Sequence, residues 1–142
     1  MNRRDLVSHA LTGLLLASAA ETQAHEEASG AARPGKATEV LKHALKDAAG
    51  KEATLVTVDY PAGGASMPHR HSGTVFGYVL EGAVVMGLDG GPEKTYRKGE
   101  AFFEEPGQLH GVSRNASKSR PARILAFIIG DQGAPVTVPA KE

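Results

Sequence analysis

"MPHRHSGTVFGYVLEG", Met67 to Gly82, is the stretch that decides the fold. Two histidines one residue apart lead into an apolar run that closes on Glu-Gly. On a β-strand, side chains two apart share a face, so His69 and His71 point one way and Arg70 the other. Two imidazoles about 7 Å apart along a strand can converge on one ion. An isolated His-x-His pair is equally well explained as two polar residues on a solvated face. The run after it, "TVFGYVLEG", has the length and apolar content of a strand.

Working outward, the same pattern repeats. "EATLVTVDY" places Leu55, Thr57 and Asp59 on one side and Val56, Val58 and Tyr60 on the other. "AVVMGLDGG" reads as a strand closing in a hairpin, with Glu81 in the "EG" turn before it. "KTYRKGE" gives a short strand, "AFFEEPGQLHGVSR" two strands around Pro106-Gly107, and "ARILAFIIG" the last strong one. Seven or eight short strands at turn spacings near ten residues predict a sandwich or small barrel. "EVLKHALKDAAG" fits either a short helix or an extended lead-in, with His43 at the surface. The closing "DQGAPVTVPAKE" can pair at a sheet edge.

The chain has 142 residues, enough for one domain with a core. Its 16 Lys and Arg balance 16 Asp and Glu, so nothing calls for nucleic acid. Residues 1–24 read as an export segment: Arg3 and Arg4, then an apolar run from Ala10 to Ala20, then small residues before a cut after Ala24. That run falls well short of the roughly 20 residues of a spanning helix, so no membrane anchor is expected. "NRRDLV" resembles a twin-arginine signal, and an ordinary secretory signal carrying two arginines is the alternative. Either places the protein in the periplasm or outside the cell. Residues 25–37 read as a flexible leader and 38–139 as the folded domain. The chain has no cysteine, so its core holds the fold without disulfides and thiolate ligands are excluded.

A third histidine, His110 in "PGQLHGV", lies just after a turn near the start of another expected strand. Antiparallel pairing can bring it beside the first pair. Three histidines from two strands then cap one face of an ion and leave positions open for water, oxygen or a bidentate ligand.

These features resemble a cupin, the all-β double-stranded β-helix or small antiparallel jelly-roll barrel. The family's first motif is met by Gly63, His69, His71, Val75 and Gly82, and its second by Gly99, Glu105, Gly107, His110 and Arg114. The proline stands instead at Pro106 and the nearest asparagine is Asn115. The resemblance spans about Ala37 to Pro139. Its departure is Val75, or Phe76 at the longer spacing, where cupins usually carry a glutamate ligand. Some cupins use three histidines alone, among them dioxygenases resembling acetylacetone-cleaving enzymes, and His69, His71 and His110 resemble that pattern. There a glutamate near the second motif can sit outside the ligand shell and relay a proton. Glu104 takes that place, with Glu105 second and Glu81 less apt. The alternative for Glu104 is a solvated turn carboxylate beside Pro106.

Three neutral imidazoles leave a divalent ion its full charge, which favours anionic ligands and acidifies bound water. Imidazole suits Fe²⁺, Ni²⁺, Cu²⁺ and Zn²⁺ better than Mn²⁺, and the resemblance puts Fe²⁺ first. Strand parity puts Met67, Val75, Gly77 and Val79 on the histidine face, an apolar lumen for a small apolar or anionic molecule. Phe102 or Phe103, Tyr96 and Phe127 are candidates to close it. The leading expectation is an exported dioxygenase-like enzyme acting on a small enolisable or aromatic compound. A non-catalytic module that binds metal or ligand, and a metal-free structural cupin, are the alternatives. The resemblance also implies a homodimer.

Overall fold

The computed structural model describes residues 33–140. The expected export segment and the leader up to residue 32 lie outside the described residues.

Ten strands and no helix make up the described chain: β1 (Lys36–Ala44), β2 (Lys51–Tyr60), β3 (His69–His71), β4 (Thr74–Glu81), β5 (Ala83–Leu88), β6 (Lys94–Arg97), β7 (Ala101–Glu104), β8 (Leu109–Asn115), β9 (Ala122–Asp131) and β10 (Thr137–Pro139). They form two five-stranded antiparallel sheets, in the orders β1-β2-β9-β4-β7 and β10-β3-β8-β5-β6. The all-β jelly-roll expected from the sequence is the fold found. The segment that fitted either helix or strand is β1, a sheet-edge strand exposed along its whole length. It begins at Lys36, inside the stretch expected to be leader. The closing segment supplies β10, which pairs with β3.

One expectation about connectivity is corrected. β4 and β5 do not form a hairpin; they lie in different sheets. Gly82 sits between them with φ at 69°, and a Cβ there would meet the Pro121 carbonyl oxygen at 2.7 Å. A left-handed residue without a side chain lets the chain turn the corner from one sheet to the other. Glu81 is therefore an exposed residue at a sheet corner rather than in a hairpin.

Alternation sets the core. Tyr60, Val79, Val84, Met86, Phe102, Ala122 and Ile124 fill the space between the sheets on one side, and Val56, Val75, Ala126 and Ile128 form a second apolar group beyond them. Phe102 turns inward, with its ring over Gly77, its register partner on β4. A Cβ on Gly77 would lie 2.0 Å from that ring, so the glycine makes room for the aromatic. Tyr96 packs on Phe102 from β6. Phe103 and Phe127 do not close the lumen. Both pack against Phe76 on the outer face of the first sheet, and Phe103 is exposed. Met67 lines the same cavity as the histidines but is 83% exposed, and Pro68 separates it from β3.

Candidate metal centre

β3 and β8 pair so that His69 and His110 are direct Cα partners. The ring centroids of His69 lie 4.9 Å from those of His71 and His110. One ligand atom from each of the three falls within 4.8 Å of the others. The structure thus brings together all three histidines picked out in the sequence.

Each ring is held from its far side. His69 Nδ1 donates to the Met67 carbonyl at 2.8 Å, and His71 Nδ1 donates to the Val136 carbonyl at 2.9 Å. A carbonyl can only accept, so both Nδ1 atoms carry the hydrogen and both Nε2 atoms present a lone pair. Those two Nε2 atoms lie 3.2 Å apart. Adjacent nitrogens about 2.1 Å from a zinc-like ion lie roughly 3.0 to 3.4 Å from each other, so the spacing fits one ion. His110 Nε2 meets the Met86 sulfur at 3.1 Å. A thioether also only accepts, so His110 keeps its lone pair on Nδ1. Metal-binding histidines are oriented by their second nitrogen in this way.

The fourth group comes from the facing sheet. Glu104, on β7, is 2% exposed, whereas Glu105 is exposed. Glu104 Oε1 lies 3.2 Å from His110 Nδ1, and Oε2 lies 3.8 Å from His71 Nε2. The first contact lacks hydrogen-bond geometry, and both Glu104 Oε2 and His110 Nδ1 are buried without a hydrogen-bond partner. Such orphaned buried groups are rare and point to an ion or ligand. The reading of Glu104 as a solvated turn carboxylate does not hold. Electron-pair donors converge on one point with no donor hydrogen among them, and a divalent cation suits that set. Burial pushes the His69 imidazole below its ordinary value, against the opposing bond to Met67, and the neighbouring His71 and His110 add to the lowering.

The cluster opens into a cavity of about 610 Å³. Val56, Val75, Ala126 and Ile128 give it an apolar wall, while Ser66, Tyr60 and Ser113 also reach it. Sequence reasoning missed these hydroxyls. They come from three separate segments, and only the position of Tyr60 on the same face of β2 as Val56 and Val58 hinted at one of them.

The cupin domain family pattern matches residues 56–128, from β2 through the three histidines to β9. The chain belongs to the cupin family. No curated protein matches this cupin. Among solved structures it is similar to a protein with a double-stranded β-helix domain from Klebsiella pneumoniae, at 16% identity and TM-score 0.61, covering 80% of this chain and 89% of that one. It also resembles an oxalate oxidase in complex with the substrate analogue glycolate, at 26% identity and TM-score 0.53, over 61% of this chain and 45% of that one. A third is a DMSP lyase from Ruegeria pomeroyi, at 24% identity and TM-score 0.55, over 62% and 43%. The cupin therefore spans less than half the length of both these enzymes.

The family's motif positions account for two further features. Gly63, Gly99 and Gly107 all have positive φ. Asn115, one residue past the motif position, is buried and bridges neighbouring backbone. Its two amide hydrogens go to the carbonyls of Pro61 and Arg120, with a longer shared contact to that of Tyr60, and its oxygen accepts from Ser117 N. Arg114 instead points outward to Glu93.

Proposed function

We propose that this cupin is exported to the periplasm or beyond, holds a divalent metal ion on His69, His71 and His110, and acts as an oxygen-dependent dioxygenase on a small enolisable or aromatic compound. The observation that carries the metal reading is the 3.2 Å pair of Nε2 lone pairs facing a buried carboxylate that has an unpartnered oxygen. A divalent ion held there supplies Lewis-acid polarisation and, if it is iron, redox chemistry with oxygen. Fe²⁺ is the first choice, with Ni²⁺, Cu²⁺, Zn²⁺ and Mn²⁺ as alternatives to be read by elemental analysis.

The chain's own residues do the rest. Met67 and Val136 carbonyls fix the two imidazoles of β3 before any ligand arrives. Glu104, buried beside the histidines, takes up or returns a proton at Oε2, the oxygen with no other partner. Val56, Val75 and Ile128 exclude water and accept the apolar body of the ligand. The glycolate-bound oxalate oxidase relative supports a small ligand bearing oxygen groups. A homodimer is also proposed, and the exposed Val40 and Leu41 on the edge strand β1 favour it.

Anaerobic loading with Fe²⁺, followed by oxygen uptake with small diketones, tests the enzyme reading. Absence of uptake with every redox metal bound would remove it. Glu104 is the only carboxylate, among the described residues, that contacts the histidine cluster. That sparse acid–base equipment favours, as the second reading, a module that binds metal and ligand without turnover.

A further inference from the structure

The wall of the cavity next to the histidines carries a row of hydroxyls. Tyr60 is 2% exposed, and its hydroxyl lies 2.6 Å from Ser113 Oγ and 3.0 Å from Ser66 Oγ. Ser113 Oγ lies 3.5 Å from the Met86 sulfur, which also receives His110 Nε2. Each hydroxyl carries one proton and two lone pairs, so either oxygen of the two O–H···O pairs can donate. Met86 can only accept, so Ser113 is the donor in its contact with the sulfur. The row extends from the half-buried Ser66 to the sulfur beside His110.

Its last bond is the weak one. A thioether is a poor acceptor, so the Ser113 proton is available to any better oxygen that enters the cavity. The segment carrying Ser66 is pinned to β8 by Ser66 N donating to the Ser113 carbonyl at 2.8 Å. The Tyr60 ring is fenced by Gly35, where a Cβ would lie 2.8 Å from the ring. The hydroxyls are therefore placed before a ligand binds, which lowers the ordering cost of binding.

The geometry points to a second polar subsite in the lumen: the Ser66–Tyr60–Ser113 row, with Ser113 as the donor, binds the distal oxygen of a ligand whose first oxygen lies at the histidines. Ser66, Tyr60 and Ser113 line the same cavity as the three histidines, so one ligand can meet both sets of groups. The ligand class is a compact molecule with two oxygen functions on one edge and an apolar back, such as a diketone, keto acid or hydroxy acid. That back faces Val56, Val75 and Ile128. This inference rests on the metal reading above and names the ligand class for that site.

The test uses the full chain loaded with zinc, which binds without redox chemistry. Zinc is titrated by calorimetry, then 2,4-pentanedione and the single-oxygen 2-pentanone are each titrated into wild type, Ser113→Ala and Tyr60→Phe. The expected result is a preference for the diketone in wild type. Ser113→Ala should raise the diketone Kd about 2- to 10-fold, the scale of one neutral hydrogen bond. The 2-pentanone and zinc affinities should not move, and Tyr60→Phe should act in the same direction. A row that serves only the fold would weaken both ketones alike, and that result overturns the subsite. An unchanged diketone preference in Ser113→Ala, or no preference in wild type, also overturns it. Failure of zinc to bind would overturn the metal reading and the two-point ligand with it. Normal zinc binding with unaltered ketone preference would remove the subsite alone.

Discussion

Val75 and Glu104 are register partners on the antiparallel strands β4 and β7, one apolar and one acidic, and both are almost wholly buried. Val75 stands where the family usually carries its carboxylate. The acid stands directly across the strand pair, so the carboxylate has moved sideways by one strand while still facing the histidines. Glu104→Ala should weaken divalent-metal affinity about 10- to 100-fold, the usual scale for a group that supports metal ligands. Val75→Glu added to Glu104→Ala should restore much of it. Val75→Glu alone buries two like charges side by side and should lower the melting temperature. Competition against a chelator reads the first two effects and thermal unfolding the third. If the double variant binds no better than Glu104→Ala, the two positions are not equivalent.

The histidine cluster predicts metal-linked stability. An ion that binds only the folded state stabilises by about 2.7 kcal/mol at a hundredfold excess over Kd. For a domain of this size that is on the order of 10 °C in Tm. Added zinc should raise the Tm of wild type by that order, and it should do little for His69→Ala or His110→Ala. Differential scanning fluorimetry with and without zinc checks it. A metal-free structural cupin would show no zinc shift in any of the three.

The strands were legible because each apolar run alternates and ends on a glycine or proline turn, and the histidine pair was legible because period-two spacing fixes a face. What the sequence did not carry was the sheet each strand joins. Local spacing is the same for a hairpin and for a corner, so Glu-Gly at 81–82 read as a hairpin although the chain changes sheets there. For the same reason, spacing left Glu104 open between a place near the metal, which the family resemblance implied, and a solvated turn. Six residues before His110, it reaches the cluster from the opposite sheet. The hydroxyl row was invisible because only tertiary packing brings residues 60, 66 and 113 together.

Gly77 and Phe102 give a packing prediction independent of metal. Any side chain at 77 drives a Cβ into the Phe102 ring, whose neighbours are themselves buried. Gly77→Ala should destabilise by about 1–3 kcal/mol or more, since the ring can escape only by leaving its rotamer. Adding Phe102→Leu should recover part of the loss by vacating the contact. Urea unfolding of the single and double variants measures it, and an additive double variant would show that the two residues do not clash.

Arg114 and Asn115 separate an exposed polar role from a buried one. Arg114 pairs with Glu93 at the surface, where side-chain entropy and solvent screening leave an ion pair about 0–1 kcal/mol. Asn115 is buried, and its two amide hydrogens are shared among three carbonyls while its oxygen accepts one backbone N–H, from segments on either side of β8. Removing it strands several buried groups at once, each with a penalty of about 1–3 kcal/mol where water cannot reach it. Arg114→Ala should therefore change unfolding free energy by less than about 1 kcal/mol. Asn115→Ala should cost at least about 2 kcal/mol. Asn115→Asp keeps the acceptor for Ser117 N but turns the donor into a charge facing three carbonyls, so it should be at least as damaging as the alanine. Denaturant unfolding of the three variants orders them. If Arg114→Ala proved the most damaging, the role given to Asn115 would pass to its neighbour, where the motif spacing first placed it.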